Sequence, residues 1–189
     1  MADESTITAS GEATVPFPAD VAWLQLVLVE QAKTATEAAE RSAQRANIVL
    51  DRIRETEPRL PELVTEVERK LEPLFDEDGV LLAFRVERLV RAQMPPEPAG
   101  VLLDVAIMSG AGSGSRVSFG ARDPSVVRMR AIEAALAVAR ANAQAAVTVL
   151  GGTLGEALEV EVEAVVPNDF ADPLLMVTGV ARVMYARKP

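Results

Sequence analysis

Apolar and small side chains recur at alternating steps of three and four from Met129 through Ile132, Leu136, Ala139, Ala143 and Ala146 to Leu150. That spacing puts them on one face of a helix and predicts the longest helix of the chain over 123–152. Asp123 is the expected N-cap, Pro124 falls in the first turn, and Gly151 with Gly152 is the expected stop. The same spacing in Ala39, Ala43, Ala46, Leu50 and Ile53 predicts a second long helix over 34–56, with Glu37, Glu40, Arg41 and Arg45 turned to water. Both stripes are rich in alanine, which lets a helix approach its support closely. A shorter helix is expected over 98–109.

Elsewhere the period is two. Over 21–30, Ala22, Leu24, Leu26 and Leu28 form one face, and Trp23, Gln25, Val27 and Val29 lie on the other. Both faces are largely apolar, so this strand needs cover on both sides. Trp23, Gln25, Val27 and Val29 are therefore the expected interface residues, with core packing of Trp23 as the plainer alternative. The stretch 6–15 reads as a first strand with a bulge at Gly11, followed by a turn over 16–20. Over 63–74, Leu63, Thr65, Val67 and Leu71 share one face, and the glutamates and Lys70 take the other. Asp76-Glu77-Asp78-Gly79 is a hairpin turn, and 80–93 returns with Leu82, Phe84, Val86 and Val90 inward. Short alternations over 116–120, 154–166 and 174–185 complete the strands. In 154–166, Leu158, Val160, Val162 and Ala164 face in, while Glu159, Glu161 and Glu163 face out.

The order is ββαββαβαββ. Strands paired mostly with their sequence neighbours, and helices between the pairs, make an α+β fold: a mostly antiparallel sheet with two long Ala-rich helices side by side on one face. The expected organisation is one domain over 1–189, with sub-lobes, if any, at 1–93 and 94–189.

Composition narrows the chemistry. Hydrophobic residues are 49% of the 189 but aromatics only 4%, so the core is aliphatic. The net charge of −9 argues against non-specific binding to nucleic acid or to an anionic membrane. With no cysteine and no histidine, the chain has no disulfide, no thiolate nucleophile, no Ser-His-Asp triad and no histidine metal site. Neither a cofactor nor a metal is implied. The opening MADEST carries acids and no apolar core, unlike a secretory leader, and no run is long enough for a membrane span. The expected compartment is the cytoplasm, or the envelope if a leader precedes the chain.

Three stretches invite a chemical reading and each has a plainer one. Gly110–Ser115 (GAGSGS) is glycine-rich, but it follows a helix and precedes a strand, the reverse of a phosphate loop, so it is read as a connection. Glu159, Glu161 and Glu163 stand about 6.5–7 Å apart on a strand, too far to grip one cation together. They read as a solvated row paired with Arg182 or Lys188. Asp76–Gly79 lacks the one-three-five spacing of a calcium loop.

The ordered motifs resemble the SIMPL domain family (DUF541). The resemblance rests on Gly11 and Glu12 in the first strand, the Pro18-x-Asp20-x-Ala22 turn, and Ala35, Ala38 and Ala39 in the first long helix. It continues with Gly110-Ala111, Phe119, the alanines of 131–146, and Gly151 with Leu154-Gly155. It spans nearly the whole chain. The resemblance implies a non-enzymatic α+β domain, some of whose relatives assemble into large oligomers and some of which are tied to stress defence. It carries over no catalytic residue. The expected function is a non-enzymatic, self-assembling scaffold or stress-related homo-oligomer; the alternative is a small-molecule or peptide-binding module.

Overall fold

The computed structural model describes residues 5–58, 64–167 and 169–188. Among the described residues, seven strands and three helices follow in the order expected: β1 (Ser5–Pro18), β2 (Val21–Ala32), α1 (Ala35–Thr56), β3 (Val64–Phe75), β4 (Leu81–Met94), α2 (Ala99–Met108), β5 (Arg116–Gly120), α3 (Pro124–Val149), β6 (Thr153–Ala164) and β7 (Leu174–Lys188). The class is α+β with antiparallel pairing. In place of one sheet there are two, ordered β1-β7-β6 and β3-β4-β2-β5. The chain accordingly separates into two compact units that do not coincide with 1–93 and 94–189. One comprises 1–19, 120–168 and 173–189; the other comprises 20–119 and 169–172. The two long helices therefore do not share a sheet.

Local signals behave as their chemistry dictates. Thr34 caps α1, its hydroxyl accepting from the Glu37 amide at 3.2 Å, as in the first half of a capping box. Asp123 caps α3 by accepting from the Ser125 amide at 3.0 Å. At the other end of α3, Gly151 takes a φ of 70°. The Gly152 amide then reaches the Val147 carbonyl and the Gly151 amide the Thr148 carbonyl, both at 3.1 Å. This is a Schellman stop, and only glycine takes its left-handed position without strain.

Strand pairing departs from sequence order at β1. It pairs with β7, at the far end of the chain, in one unbroken register from Ser5↔Arg187 to Pro18↔Leu174. No bulge forms at Gly11, and the strand continues to Pro18, which narrows the turn expected over 16–20 to Ala19 and Asp20. Gly11 is needed for another reason. A Cβ there would strike the Ala135 carbonyl oxygen and the Ala139 amide of α3, and one at Gly179 would strike Ala131. The helix lies directly on β1 and β7 because those two residues have no side chain. The ridge turned to the sheet is Val127, Ala131, Ala135, Ala139, Ala143 and Val147, one step round from the expected stripe. Met129 and Leu150 end up exposed. Close approach selects the smallest side chains for the contact and leaves Ile132 and Leu136 on the flank. The alanine stripe thus packs within the chain.

In the second unit, α1 and α2 cover one face of the four-stranded sheet. Leu24, Leu26 and Leu28 are fully buried there with Val49 and Leu102, and Ile53 is buried beside them. The buried ridge of α1 is Ala38, Ser42, Ala46, Val49 and Ile53, again shifted from the expected one. β3 and β4 form the expected hairpin, but a bulge between Glu66 and Glu68 reverses the alternation. Thr65 opposes Arg91 and Leu71 opposes Val86, so they lie on opposite faces. Leu63, expected beside them, and most of the break expected over 57–61 lie outside the described residues, as does Asn168 in the last loop.

Candidate interaction surface

Directly opposed residues of an antiparallel pair share a face. On the face of the four-stranded sheet away from α1 and α2, Trp23 opposes Gln93, Gln25 opposes Arg91, Val27 opposes Leu89 and Val29 opposes Glu87. The structure therefore brings Trp23, Gln25, Val27 and Val29 into one row, all half-buried. The Arg91 guanidinium sits 5.0 Å from the centre of the Trp23 ring, a cation–π contact worth about 0.5–1 kcal/mol at such a site. Trp23, Thr65, Val67, Arg91 and Gln93 line an open depression of about 330 Å³.

The glycine-rich loop after α2 is tied to the edge of this row. The Gly112 amide donates to the Val27 carbonyl at 2.6 Å, and the Val27 amide donates to Ser115 Oγ at 3.0 Å. A Cβ at Gly114 would stand 3.2 Å from Val27 Cγ2. The loop joins a helix to a strand, as its position implies, and its glycines let it lie against β2.

The other face of β3–β4 carries a charge cluster. Glu66 accepts two hydrogen bonds from Arg69, at 2.8 and 2.9 Å, and pairs with Arg88 at 3.1 Å. The Arg69 hydrogen bonds, aided by the Arg88 charge, hold the Glu66 carboxyl below the usual glutamate range. Asp123 is lowered likewise by its hydrogen bonds from Ser125. Both shifts keep a carboxylate charged, the opposite of what a general acid needs.

Two apolar surfaces escape the sequence pattern. At the β3–β4 tip, Phe75, Val80, Leu81 and Leu82 are 57%, 59%, 45% and 59% exposed; Leu82, expected inward, is not buried. The signal was present in the sequence: three consecutive apolar residues beside a turn cannot all reach one face. On β6, Val160 and Val162 oppose the buried Val183 and Ala181, so they lie on the α3 side. They are nevertheless 50% and 45% exposed, and Leu158 is 53% exposed. Only Ala164 of that expected inward set is buried. The helix seats on β1 and β7 and leaves the edge strand bare.

Between α3 and β6 runs a groove of about 530 Å³ lined by Leu136, Ala137, Arg140, Gly155, Glu156, Ala157 and Tyr185. On the opposite face of β6, Glu161 stands directly across from Arg182. Thr8, Glu159, Glu161, Arg182 and Met184 line a hollow of about 180 Å³ there. Lys188 opposes Thr153 and is not among the row's neighbours. Among the described residues no cluster of three or more acidic groups could hold a metal ion, and no helix is long and apolar enough to cross a membrane.

The sequence profile of the SIMPL family, described as a protein of unknown function (DUF541), matches residues 7–187. No curated protein matches the chain with significance. Among solved structures, the crystal structure of an unknown protein from Galdieria sulphuraria is 11% identical. The match covers 92% of this chain and 84% of that one at a TM-score of 0.22, too low to bear on the fold.

Proposed function

The chain belongs to the SIMPL family, whose function is unknown (DUF541), and on that premise we propose that it is a non-enzymatic protein that self-assembles into a scaffold or stress-related homo-oligomer. One observation carries the reading: each sheet has helices on a single face and a long edge strand with exposed apolar side chains. Trp23, Val27, Val29 and Leu89 lie on a face without a helix of their own unit. Val160 and Val162 lie on a bare edge. Half-buried apolar side chains on the uncovered face and exposed ones on the edge are what a contact site presents. The charged neighbours Arg85, Glu87 and Arg91 on the β2–β4 face alternate in sign, so two copies meeting there can pair opposite charges rather than like ones. The non-enzymatic part rests on the absence of histidine and cysteine and on carboxylates held in their charged form.

Sedimentation of the purified chain across micromolar concentrations tests the proposal. A mass that grows with concentration supports it, and a strict monomer throughout sinks it.

A second reading, a small-molecule or peptide-binding module, is favoured by the α3–β6 groove, whose volume falls in the range of ligand sites. Ligand-screen thermal shifts test it, with Leu136→Glu as the control that should abolish any shift.

A further inference from the structure

We propose, resting on the self-assembly reading, that the β3–β4 hairpin tip of one copy docks into the α3–β6 groove of a second copy. The two surfaces carry matching chemistry. The tip presents Phe75, Val80 and Leu82, each more than half exposed, around an acidic turn. Asp76 shapes that turn, accepting from the Asp78 and Val80 amides at 3.0 and 2.7 Å. Gly79 closes it at a φ of 78°. The carboxylates of Glu77 and Asp78 point from an exposed loop and make no ion pair among the described residues.

The groove is the complement. Leu136 and Ala137 give it an apolar wall on α3 and Ala157 gives one on β6, and the exposed Val160 and Val162 continue the same edge strand beyond it. Positions 128, 132, 136 and 140 form the ridge beside the buried 127–131–135–139 ridge, so Arg128 and Arg140 stand on the groove side of the helix. Both are exposed, and neither is ion-paired among the described residues. A hairpin with an apolar body and a negative end fits a groove with an apolar wall and arginines along its helix side, Glu156 on β6 being the one carboxylate among its lining residues.

Two like surfaces do not fit each other. Tip against tip sets acidic turns together. Antiparallel pairing of β6 with β6 of a second copy sets Glu159, Glu161 and Glu163 against the same row, and like charges directly opposed are destabilising. The contact is therefore head-to-tail, which builds a ring if it closes and a filament if it does not.

The test is sedimentation of the full chain and two charge reversals at exposed positions, with circular dichroism to confirm that each folds. One variant carries Glu77→Lys and Asp78→Lys, and the other Arg128→Glu and Arg140→Glu. Each alone is expected to weaken association by about tenfold or more. An equimolar mixture of the two is expected to assemble again, because each reversed surface finds its opposite on the other variant. If the wild type assembles and either variant does so equally well, or if the mixture fails to recover, the docking is wrong while self-assembly stands. A wild type that stays monomeric overturns both and leaves the groove to a peptide from another protein.

Discussion

Replacing Gly11 by alanine adds one methyl group and should cost far more than its size suggests. The new Cβ would overlap the Ala135 carbonyl oxygen and the Ala139 amide nitrogen, and would stand 2.9 Å from the Ala139 Cα. All three are backbone atoms of α3, so no side-chain rotation relieves the clash. The helix must move away from β1 by an amount on the order of 1 Å, and Ala131, Ala135, Ala139 and Ala143, all fully buried, lose contact with the sheet together. Overpacking of this kind costs about 1–3 kcal/mol, and the shared loss along the helix places Gly11→Ala toward the upper end. With a urea slope of about 2 kcal/mol/M, the midpoint should fall by about 1 M or more, read by far-ultraviolet circular dichroism. Gly179→Ala should behave alike, since its Cβ meets Ala131. The double variant should cost less than the sum, because a helix already displaced no longer clashes fully at the second site. Gly100→Ala is the control. It lies in α2 with nothing within 4 Å of its Cβ, and should stabilise by about 0.5–1 kcal/mol. A midpoint for Gly11→Ala within about 0.2 M of wild type would refute close helix–sheet contact at that position.

Ser42 is fully buried in α1 and its hydroxyl has no hydrogen-bond partner. Ser42→Ala removes an unsatisfied group and improves helix propensity, so thermal or urea unfolding should show a gain of about 0.5–1 kcal/mol. Asp123→Ala should lower the melting temperature at pH 7 through loss of the α3 cap. Because the folded carboxyl sits below its usual value, its contribution is full above the unfolded pKa of about 4 and fades as pH falls through the folded one. The gap between variant and wild type should therefore close under acid, as melts between pH 7 and pH 2 can show. Trp23 is the single tryptophan, so acrylamide quenching should weaken as protein concentration rises if its face is an assembly contact. Quenching that ignores concentration would exclude that face.

Much of the chain could be read locally. Helix caps, the Asp76–Gly79 turn and the Schellman stop at Gly151 depend on a few adjacent residues, and they appear where the sequence places them. The row Trp23, Gln25, Val27, Val29 was legible too, because period-two alternation fixes which residues share a face. What the pattern missed were distances. Gly11 looked like a bulge because a glycine in a strand carries no label saying whether it bends its own chain or admits a neighbour. Leu158, Val160 and Val162 looked like core because alternation says which side a residue faces and not whether anything stands there.

The residue order alone determines the ten elements and their succession, an aliphatic core, an acidic surface and the absence of histidine and cysteine chemistry. Those follow from side-chain type and periodicity over a few residues. Tertiary structure decides the rest: that β1 pairs with β7 across the length of the chain, that the strands divide into two sheets, and that α3 turns its alanines to the sheet. Pairing joins residues far apart in the chain, and the helix settles where Gly11 and Gly179 leave room for it. The same seating on β1 and β7 leaves β6 half bare, and so creates a surface that no run of residues announces.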